Sequence, residues 1–146
     1  MTTPAPATSI ARRDVNHLDF PSNAYTVGLV SNEHPYPPAF RSGDLVSVSG
    51  RLGVTETGEL APGGFDAECP RAFANLDAAL RSVGASRADV VKVVVYLTDI
   101  TDRDGLNRVY EEFFAEPRPA RTCVGVASLP YGGVVEVEAL ARVRDV

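Results

Sequence analysis

The sequence predicts a single domain in which strands and helices alternate and two helices cover one face of a mixed sheet. Short stretches rich in Val, Thr and Ser are bounded by Gly and Pro, as in β-strands. Two longer stretches repeat apolar residues at helical spacing. At 146 residues, with 45% apolar and 23% charged residues, the chain can build one hydrophobic core. The predicted order is β-β-α-β-α-β-β, preceded by a short edge strand, which gives about six strands.

The chain begins with a segment that differs in composition from the rest. Residues 1–23 are rich in Thr, Ala, Pro and Ser, which predicts an N-terminal arm on the surface or a mobile tail. Residues 24–146 are predicted to form the domain, starting with an edge strand at 24–30. The prolines around Tyr36 indicate a stiff, extended loop, where its ring either lines a pocket or packs on the surface.

A hairpin is predicted in the first half of the domain. Residues 41–44 read as a turn, and residues 45–52 alternate apolar and polar side chains, as in a half-buried strand. A second short strand is predicted at 54–60, with a turn at Thr57-Gly58.

Two helices and a central strand follow. The first helix is expected to start between Asp66 and Pro70 and to run to Val83, because proline fits only a first turn. The apolar run at 90–97 predicts a central strand covered on both faces. The second helix is expected after a capping box at Thr101–Asp104 and before Pro117.

The last two predicted strands, 119–127 and 134–141, carry the most informative polar residues. Arg121, Cys123 and Gly125 fall on one face of the first strand, and Glu136 and Glu138 share a face of the second. If these strands pair as neighbours, a guanidinium and a carboxylate meet on a largely apolar sheet. A buried arginine needs an anion, which is either Glu136 or a substrate.

Composition narrows the class of protein. The net charge of −5 disfavours binding to nucleic acid, whose phosphates attract basic surfaces. The absence of a signal core or long apolar run predicts a cytoplasmic protein that does not enter membranes. Cys69 and Cys123 are expected to be free buried thiols, with a disulfide as the alternative.

The sequence lacks the residues that several kinds of catalysis require. The two histidines, His17 and His34, occur without a metal-binding spacing, so no metal site is predicted. No G-x-S-x-G elbow and no P-loop or G-x-G-x-x-G motif is present, which argues against a serine hydrolase of that type and against nucleotide cofactors. The Val-rich second face of the sheet instead predicts self-association into a closed ring, with ligand clefts at subunit boundaries.

Each polar candidate also has a structural interpretation. Arg121 can pair with a carboxylate across a subunit interface, and Glu136 and Glu138 can face solvent. Asn107 can be a solvated helix residue, and Ser49 can bond only to the backbone. Cys123 can be a small apolar filler.

Residues 34 to 144 resemble the RidA/YjgF family, the reactive intermediate deaminases. Several separated motifs carry the resemblance, in the family's order. They are Pro35-Tyr36, Ser42 to Val46, Val48 to Gly50, Asn107 to Phe114, Pro119 to Val124, and Leu129-Pro130 followed by Val135 to Ala139.

The resemblance implies a chorismate-mutase-like α+β subunit in a homotrimer, with clefts between subunits and no metal or organic cofactor. It implies hydrolysis of carboxylate-bearing imines and enamines, of the 2-aminoacrylate and 2-iminopropionate type, to 2-keto acid and ammonia. Arg121 then binds the substrate carboxylate with help from the backbone N–H of Cys123, and Glu136 orients or activates water. The remaining cleft residues implied are Tyr36, Ser49 and Asn107.

The sequence departs from the family pattern at two informative positions. Arg51 follows Ser49-Gly50 where archetypal members carry Gln, and Gly125 replaces a larger residue. The smaller residue leads to the hypothesis of a substrate bulkier than 2-iminopropionate. The alternatives are a pathway-specific relative that guides tautomerisation or cyclisation, and a non-catalytic protein that binds small carboxylates. A ribonuclease, the label some family members carry, fits the acidic composition least.

Overall fold

Five strands and two α-helices make up the part of the chain that the structure, a computed structural model, describes: residues 34–144. The predicted arm at 1–23 and edge strand at 24–30 lie outside the described residues. The strands are β1 (Ala39–Ser42), β2 (Leu45–Leu52), β3 (Val90–Leu97), β4 (Ala120–Gly125) and β5 (Val135–Arg142), and the helices are α1 (Phe65–Ser82) and α2 (Arg103–Phe113).

Helix α1 forms as its apolar spacing predicts, but its start differs. It begins at Phe65, so Pro70 lies in the second turn rather than the first. The carbonyl of Gly64 accepts hydrogen bonds from the N–H groups of Ala67 and Glu68, at 3.1 and 2.9 Å, and this starts the helix early. Pro70 cannot donate to the carbonyl four residues before it. That carbonyl belongs to the exposed Asp66, so water can bond to it.

Helix α2 also has the predicted buried stripe, although the predicted capping box does not form. A 3₁₀ turn at Ile100–Asp102 precedes the helix. Its cap is Asp99, whose Oδ1 accepts hydrogen bonds from the backbone N–H of Thr101 at 2.9 Å and from its hydroxyl at 2.6 Å. A carboxylate two residues before the predicted cap therefore accepts both Thr101 donors at the helix entrance.

The predicted hairpin forms with a different pair of strands: β2 pairs with the strand before it and not with residues 54–60. β2 pairs antiparallel with β1 across the turn at Gly43, whose φ is 62°. Residues 54–60 are not a strand; they form a loop with one bridge between Val54 and Leu60. Side chains of α1 take the backbone acceptors there: Asn75 Nδ2 donates to the carbonyls of Leu52 and Val54, at 2.8 and 2.9 Å. These carbonyls are thus bonded by a helix and not by a neighbouring strand.

The sheet order is β1-β2-β5-β3-β4. The expectation that the last two strands are neighbours is wrong, because β3 lies between them. β4 pairs parallel with β3 after the crossover through α2, whereas β5 inserts antiparallel between β2 and β3. The linker crosses the end of β3, where the N–H of Val126 bonds to the carbonyl of Leu97 at 2.8 Å. This leaves β4 at the edge of the sheet.

Both helices cover one face of the sheet, as predicted. The core combines this face with the apolar stripes of both helices, and Phe73 meets Tyr110, Phe113 and Phe114 edge-on at ring-centroid distances of 5.1–6.3 Å. We call the opposite side the open face. Within the described residues it includes the exposed apolar side chains of Leu45, Val124 and Leu140. No helix within residues 34–144 is long and apolar enough to cross a bilayer.

Candidate active site

Arg121 lies on the helix-covered face of the edge strand β4, beside Val93 of β3. Its Nη2 donates a hydrogen bond of 2.6 Å to Oδ1 of Asn107 in α2. Its guanidinium carbon lies 4.8 Å from the centre of the Tyr110 ring, within the range of a cation–π contact. Among residues 34–144, Arg121 forms no ion pair with a carboxylate. We call Asn107, Tyr110, Arg121 and Cys123 the Arg121 cluster.

Tyr110 gives this cluster a fixed wall. Its hydroxyl donates a 2.9 Å hydrogen bond to the carbonyl of Pro119, at the entrance of β4. Burial raises the pKa of Tyr110 to about 12, so the phenol stays neutral at ordinary pH. The ring therefore offers Arg121 a neutral π-face and not a counter-ion.

Cys123 and Gly125 follow Arg121 on the same face of β4, as the alternation predicts. Both cysteines are free thiols, as predicted, but the prediction that both are buried is wrong for Cys123. The buried Cys69 has its pKa raised to about 12 by burial, whereas Cys123 is only partly buried. A methyl group added at Gly125 would meet the Cβ of Ile100 at 3.7 Å, which is ordinary contact.

Glu136 lies away from the Arg121 cluster, at the start of β5. Its carboxyl rests on the backbone of Gly50, where the β2–β5 register shifts. Burial raises the pKa of Glu136; the nearby Arg51 opposes this shift, and Glu138 adds to it. A carboxylate with a raised pKa and a nearby cation can accept a proton.

The loop that carries Tyr36 is fastened to β2 near Glu136. Ser49 donates from its hydroxyl to the carbonyl of Pro37 at 2.8 Å and from its N–H to the carbonyl of Pro38 at 2.9 Å. Within the described chain, the Ser49 side chain thus bonds to the backbone. Tyr36 is 48% exposed and stacks on the ring of His34 at 5.4 Å. We call Tyr36, Ser49, Gly50, Arg51 and Glu136 the Glu136 cluster.

The two clusters do not meet within one chain. Arg121 is in register with Val93 and shares the helix-covered face, whereas Glu136 is in register with Tyr96 and lies on the open face. Positions 93 and 96 of β3 differ by an odd number, so their side chains point to opposite faces. The expected meeting of guanidinium and carboxylate on one sheet face is therefore wrong for a single chain.

The structure also adds residues that the sequence patterns missed as parts of a site. Tyr110 reads as core from its helical spacing, yet its ring faces Arg121. Gly50 reads as part of a strand, yet it is where Glu136 rests. Within residues 34–144 no group of three or more His, Cys, Asp or Glu side chains is placed to hold a metal ion.

Comparison with known proteins identifies the family. Residues 29–143 match the family model described as Endoribonuclease L-PSP. The chain belongs to this family, which is the RidA/YjgF family that the sequence motifs indicate.

Individual relatives are similar along most of the domain. A RutC family protein of Pyrococcus abyssi is 42% identical over 108 residues, which cover 73% of this chain and 85% of the relative. The 2-iminobutanoate/2-iminopropanoate deaminase of Dermatophagoides farinae is 39% identical over 111 residues, covering 75% and 87%. The crystal structure of RidA from an Antarctic Psychrobacter has a TM-score of 0.74 at 41% identity and covers 77% of this chain and 92% of that one.

Proposed function

We propose that this protein hydrolyses imines and enamines that bear a carboxylate, giving a 2-keto acid and ammonia. The observation that carries the proposal is the Arg121 guanidinium, which Asn107 and Tyr110 hold in place while no carboxylate pairs with it in the described chain. Relatives about 40% identical are named 2-iminobutanoate/2-iminopropanoate deaminases, which supports this substrate class.

Arg121 is suited to bind the substrate carboxylate. A guanidinium can hold a carboxylate by two parallel hydrogen bonds, which fixes the orientation of the atoms attached to it. In this proposal the backbone N–H of Cys123 adds a donor, and Asn107 orients the guanidinium. The imine carbon, directly bonded to the carboxylate, is then held at a fixed position.

The complete site is proposed to form between subunits of a homotrimer. Arg121 and Glu136 lie on opposite faces of one sheet, so one chain cannot place both beside a small substrate. Exposed apolar residues on the open face favour association with another copy of the chain. In the assembly, the Arg121 cluster of one subunit faces the Glu136 cluster of the next, where Tyr36 and Ser49 line the cleft.

Glu136 is proposed to activate the attacking water. The water oxygen bonds to the carbon of the protonated imine while Glu136 takes a proton from the water, giving a neutral carbinolamine. The hydroxyl proton then moves to the nitrogen, the C–N bond breaks, and ammonia leaves as the keto group forms. No electron acceptor or donor enters this balance, so the proposed reaction proceeds without a redox cofactor. Positioning contributes most, because an imine is already reactive.

The site at Gly125 bears on substrate size. A Cβ added at Gly125 would lie 3.7 Å from the Cβ of Ile100 and 3.9 Å from the carbonyl oxygen of Leu97, so a side chain fits there and glycine leaves that space open. This space supports the proposal that the preferred imine is bulkier than 2-iminopropionate. Steady-state rates on a series of imines with increasing side-chain length test it, and fastest turnover of the alanine-derived imine would reject it.

Substitution of Arg121 tests the function. An amino-acid oxidase generates the imine from 2-aminobutanoate, and the loss of imine is followed by trapping with semicarbazide. Arg121→Ala should lower kcat/KM at least 100-fold, and Arg121→Lys less, because lysine keeps the charge but not the fork. Arg144→Ala removes the same charge from an exposed position two residues beyond the end of β5 and serves as the control.

Other outcomes identify other functions. Full activity of Arg121→Ala would reject the mechanism. Saturable binding of 2-oxobutanoate without turnover by the wild type would indicate a binding protein. Cleavage of RNA by the wild type, lost in Arg121→Ala, would indicate a nuclease. Turnover with a product other than the keto acid, identified by mass spectrometry, would indicate a pathway-specific relative.

A further inference from the structure

Arg51 is a partly buried cation that uses few of its hydrogen-bond donors. Its Nε donates to the carbonyl of Gly50 at 3.0 Å. Within residues 34–144 its two Nη groups have no hydrogen-bond acceptor, and the side chain forms no ion pair within 4 Å. A guanidinium carries five N–H donors, so most of those of Arg51 are available to another group.

Arg51 lies at the irregular part of β2, in register with Val137 of β5 and next to Gly50. The Glu136 carboxyl rests on Gly50, and Arg51 bonds to the carbonyl of the same glycine. Arg51 and Glu136 therefore both lie against Gly50, and the charge of Glu136 acts on Arg51. Glu136 is near enough to attract Arg51 but does not pair with it, so the cation can accept a second anion.

We propose that Arg51 binds a second carboxylate of the substrate, so that the preferred imines derive from amino acids with an acidic side chain. This inference rests on the proposed imine hydrolysis at the same site. The 1-carboxylate binds to Arg121, the side-chain carboxylate binds to Arg51, and the imine carbon lies between them. Both guanidinium groups can form paired hydrogen bonds with a planar carboxylate.

The charges of such a complex balance. The two guanidinium groups and a protonated imine nitrogen supply three positive charges, and Glu136 and the two substrate carboxylates supply three negative charges. A monocarboxylic imine leaves one positive charge without a partner. Because unpaired charges are costly in a desolvated site, this difference favours the dicarboxylic substrate.

The test compares two imines in the wild type and in Arg51→Gln. Matching amino-acid oxidases generate the imines of glutamate and 2-aminobutanoate, and both proteins are assayed at the same alkaline pH, on the plateau of their pH profiles. We expect the wild type to prefer the glutamate imine. In Arg51→Gln the ratio of the two kcat/KM values should fall about 10- to 100-fold, as expected for loss of a charge-assisted hydrogen bond. Arg144→Gln, which removes an equal charge far from Gly50, should keep the wild-type ratio.

Binding of the keto-acid products gives a second readout. In calorimetric titrations, Arg51→Gln should weaken the binding of 2-oxoglutarate much more than the binding of 2-oxobutanoate. If kcat/KM for both imines and the affinity for both keto acids fall by the same factor, Arg51 acts only through Glu136. The inference is then wrong, while the proposed imine hydrolysis stands. If the wild type accelerates hydrolysis of neither imine, the proposed function itself is wrong.

Discussion

Gly50 and Glu136 are in contact through the space that a side chain at position 50 would occupy. A Cβ at that position would overlap Oε1 of Glu136. The overlap is with the end of a side chain, so the carboxyl can move away, but only by leaving its place on the backbone. The position of the proposed proton acceptor therefore depends on the absence of one carbon atom.

Gly50→Ala should lower imine hydrolysis more than it lowers stability. We expect kcat/KM to fall about 10-fold or more, because a displaced general base loses its reach to water. The free energy of unfolding, measured by urea titration, should fall by no more than about 1 kcal/mol, since the backbone there accepts alanine. Gly125→Ala is the stability control, because its added methyl group makes ordinary contacts. Unchanged kcat/KM in Gly50→Ala would separate Glu136 from catalysis.

The pH dependence of hydrolysis depends on two neighbours of Glu136. Burial raises the pKa of Glu136, Glu138 raises it further, and Arg51 lowers it. Only the ionised form accepts a proton, so kcat/KM should fall as the pH drops through this raised pKa. Glu138→Gln should move the acid limb to lower pH, and Arg51→Gln should move it to higher pH. Shifts in the same direction would show that Glu136 is not the titrating group.

At the residue scale, the sequence indicates which side chains share a strand face, but not which distant residues they contact. Alternation along the strands correctly groups Arg121 with Cys123 and Gly125, and Glu136 with Glu138. It does not show that Tyr110 stacks on Arg121 or that Gly50 supports Glu136, since both contacts join segments distant in sequence. The roles of Tyr36, Ser49, Asn107, Arg121, Cys123 and Glu136 in a reaction stay predictions.

Among the elements, α1 fastens the strand that carries Glu136. The buried carboxylate of Glu68 accepts a 2.9 Å hydrogen bond from the N–H of Val134, immediately before β5. The backbone of Gly53, just after β2, packs against Glu68. One helix residue thus ties together the end of β2 and the start of β5, the two segments that build the Glu136 cluster.

Removal of the Glu68 carboxylate should destabilise the domain. Glu68→Ala leaves the Val134 N–H without an acceptor and should lower the free energy of unfolding by about 1–3 kcal/mol. Glu68→Gln keeps an acceptor oxygen and should lower it less. Urea titrations of both variants give the comparison. Equal losses would mean that the negative charge, and not the hydrogen bond, stabilises β5.

The elements were predictable where the signal is local. Apolar spacing defines α1 and α2, and the turn before β2 follows from Gly43. The positions of β4 and β5 in the sheet are not predictable from the sequence. A short linker rich in Gly and Pro can form a hairpin turn or cross the end of a third strand. The short strand β1 was missed because only four residues form it.

At the scale of the whole molecule, the sheet separates the two clusters. Arg121 lies on the helix-covered face of an edge strand, and Glu136 lies on the open face of an interior strand. Association of chains is the simple way to bring two such surfaces together. Measurement of molecular mass in solution tests the proposed homotrimer, for which we expect three times the mass of the chain.

Mixed oligomers test whether the site is shared. Arg121→Ala and Glu136→Gln should each be inactive, but co-expressed chains should regain about a quarter of wild-type activity, because random mixing restores one site in four. Activity is measured on the purified mixture, and light scattering confirms its mass. Oligomers of each variant expressed alone are the control. No recovery in mixed oligomers of native mass would show that both residues act within one chain.

The contrast between the two thiols has a practical consequence. The sequence has only two cysteines, and the buried Cys69, with a pKa near 12, keeps its proton at neutral pH. A maleimide fluorophore should therefore label Cys123 selectively, two residues from Arg121. The natural protein thus provides its own attachment point for an optical label beside Arg121, without engineered mutations.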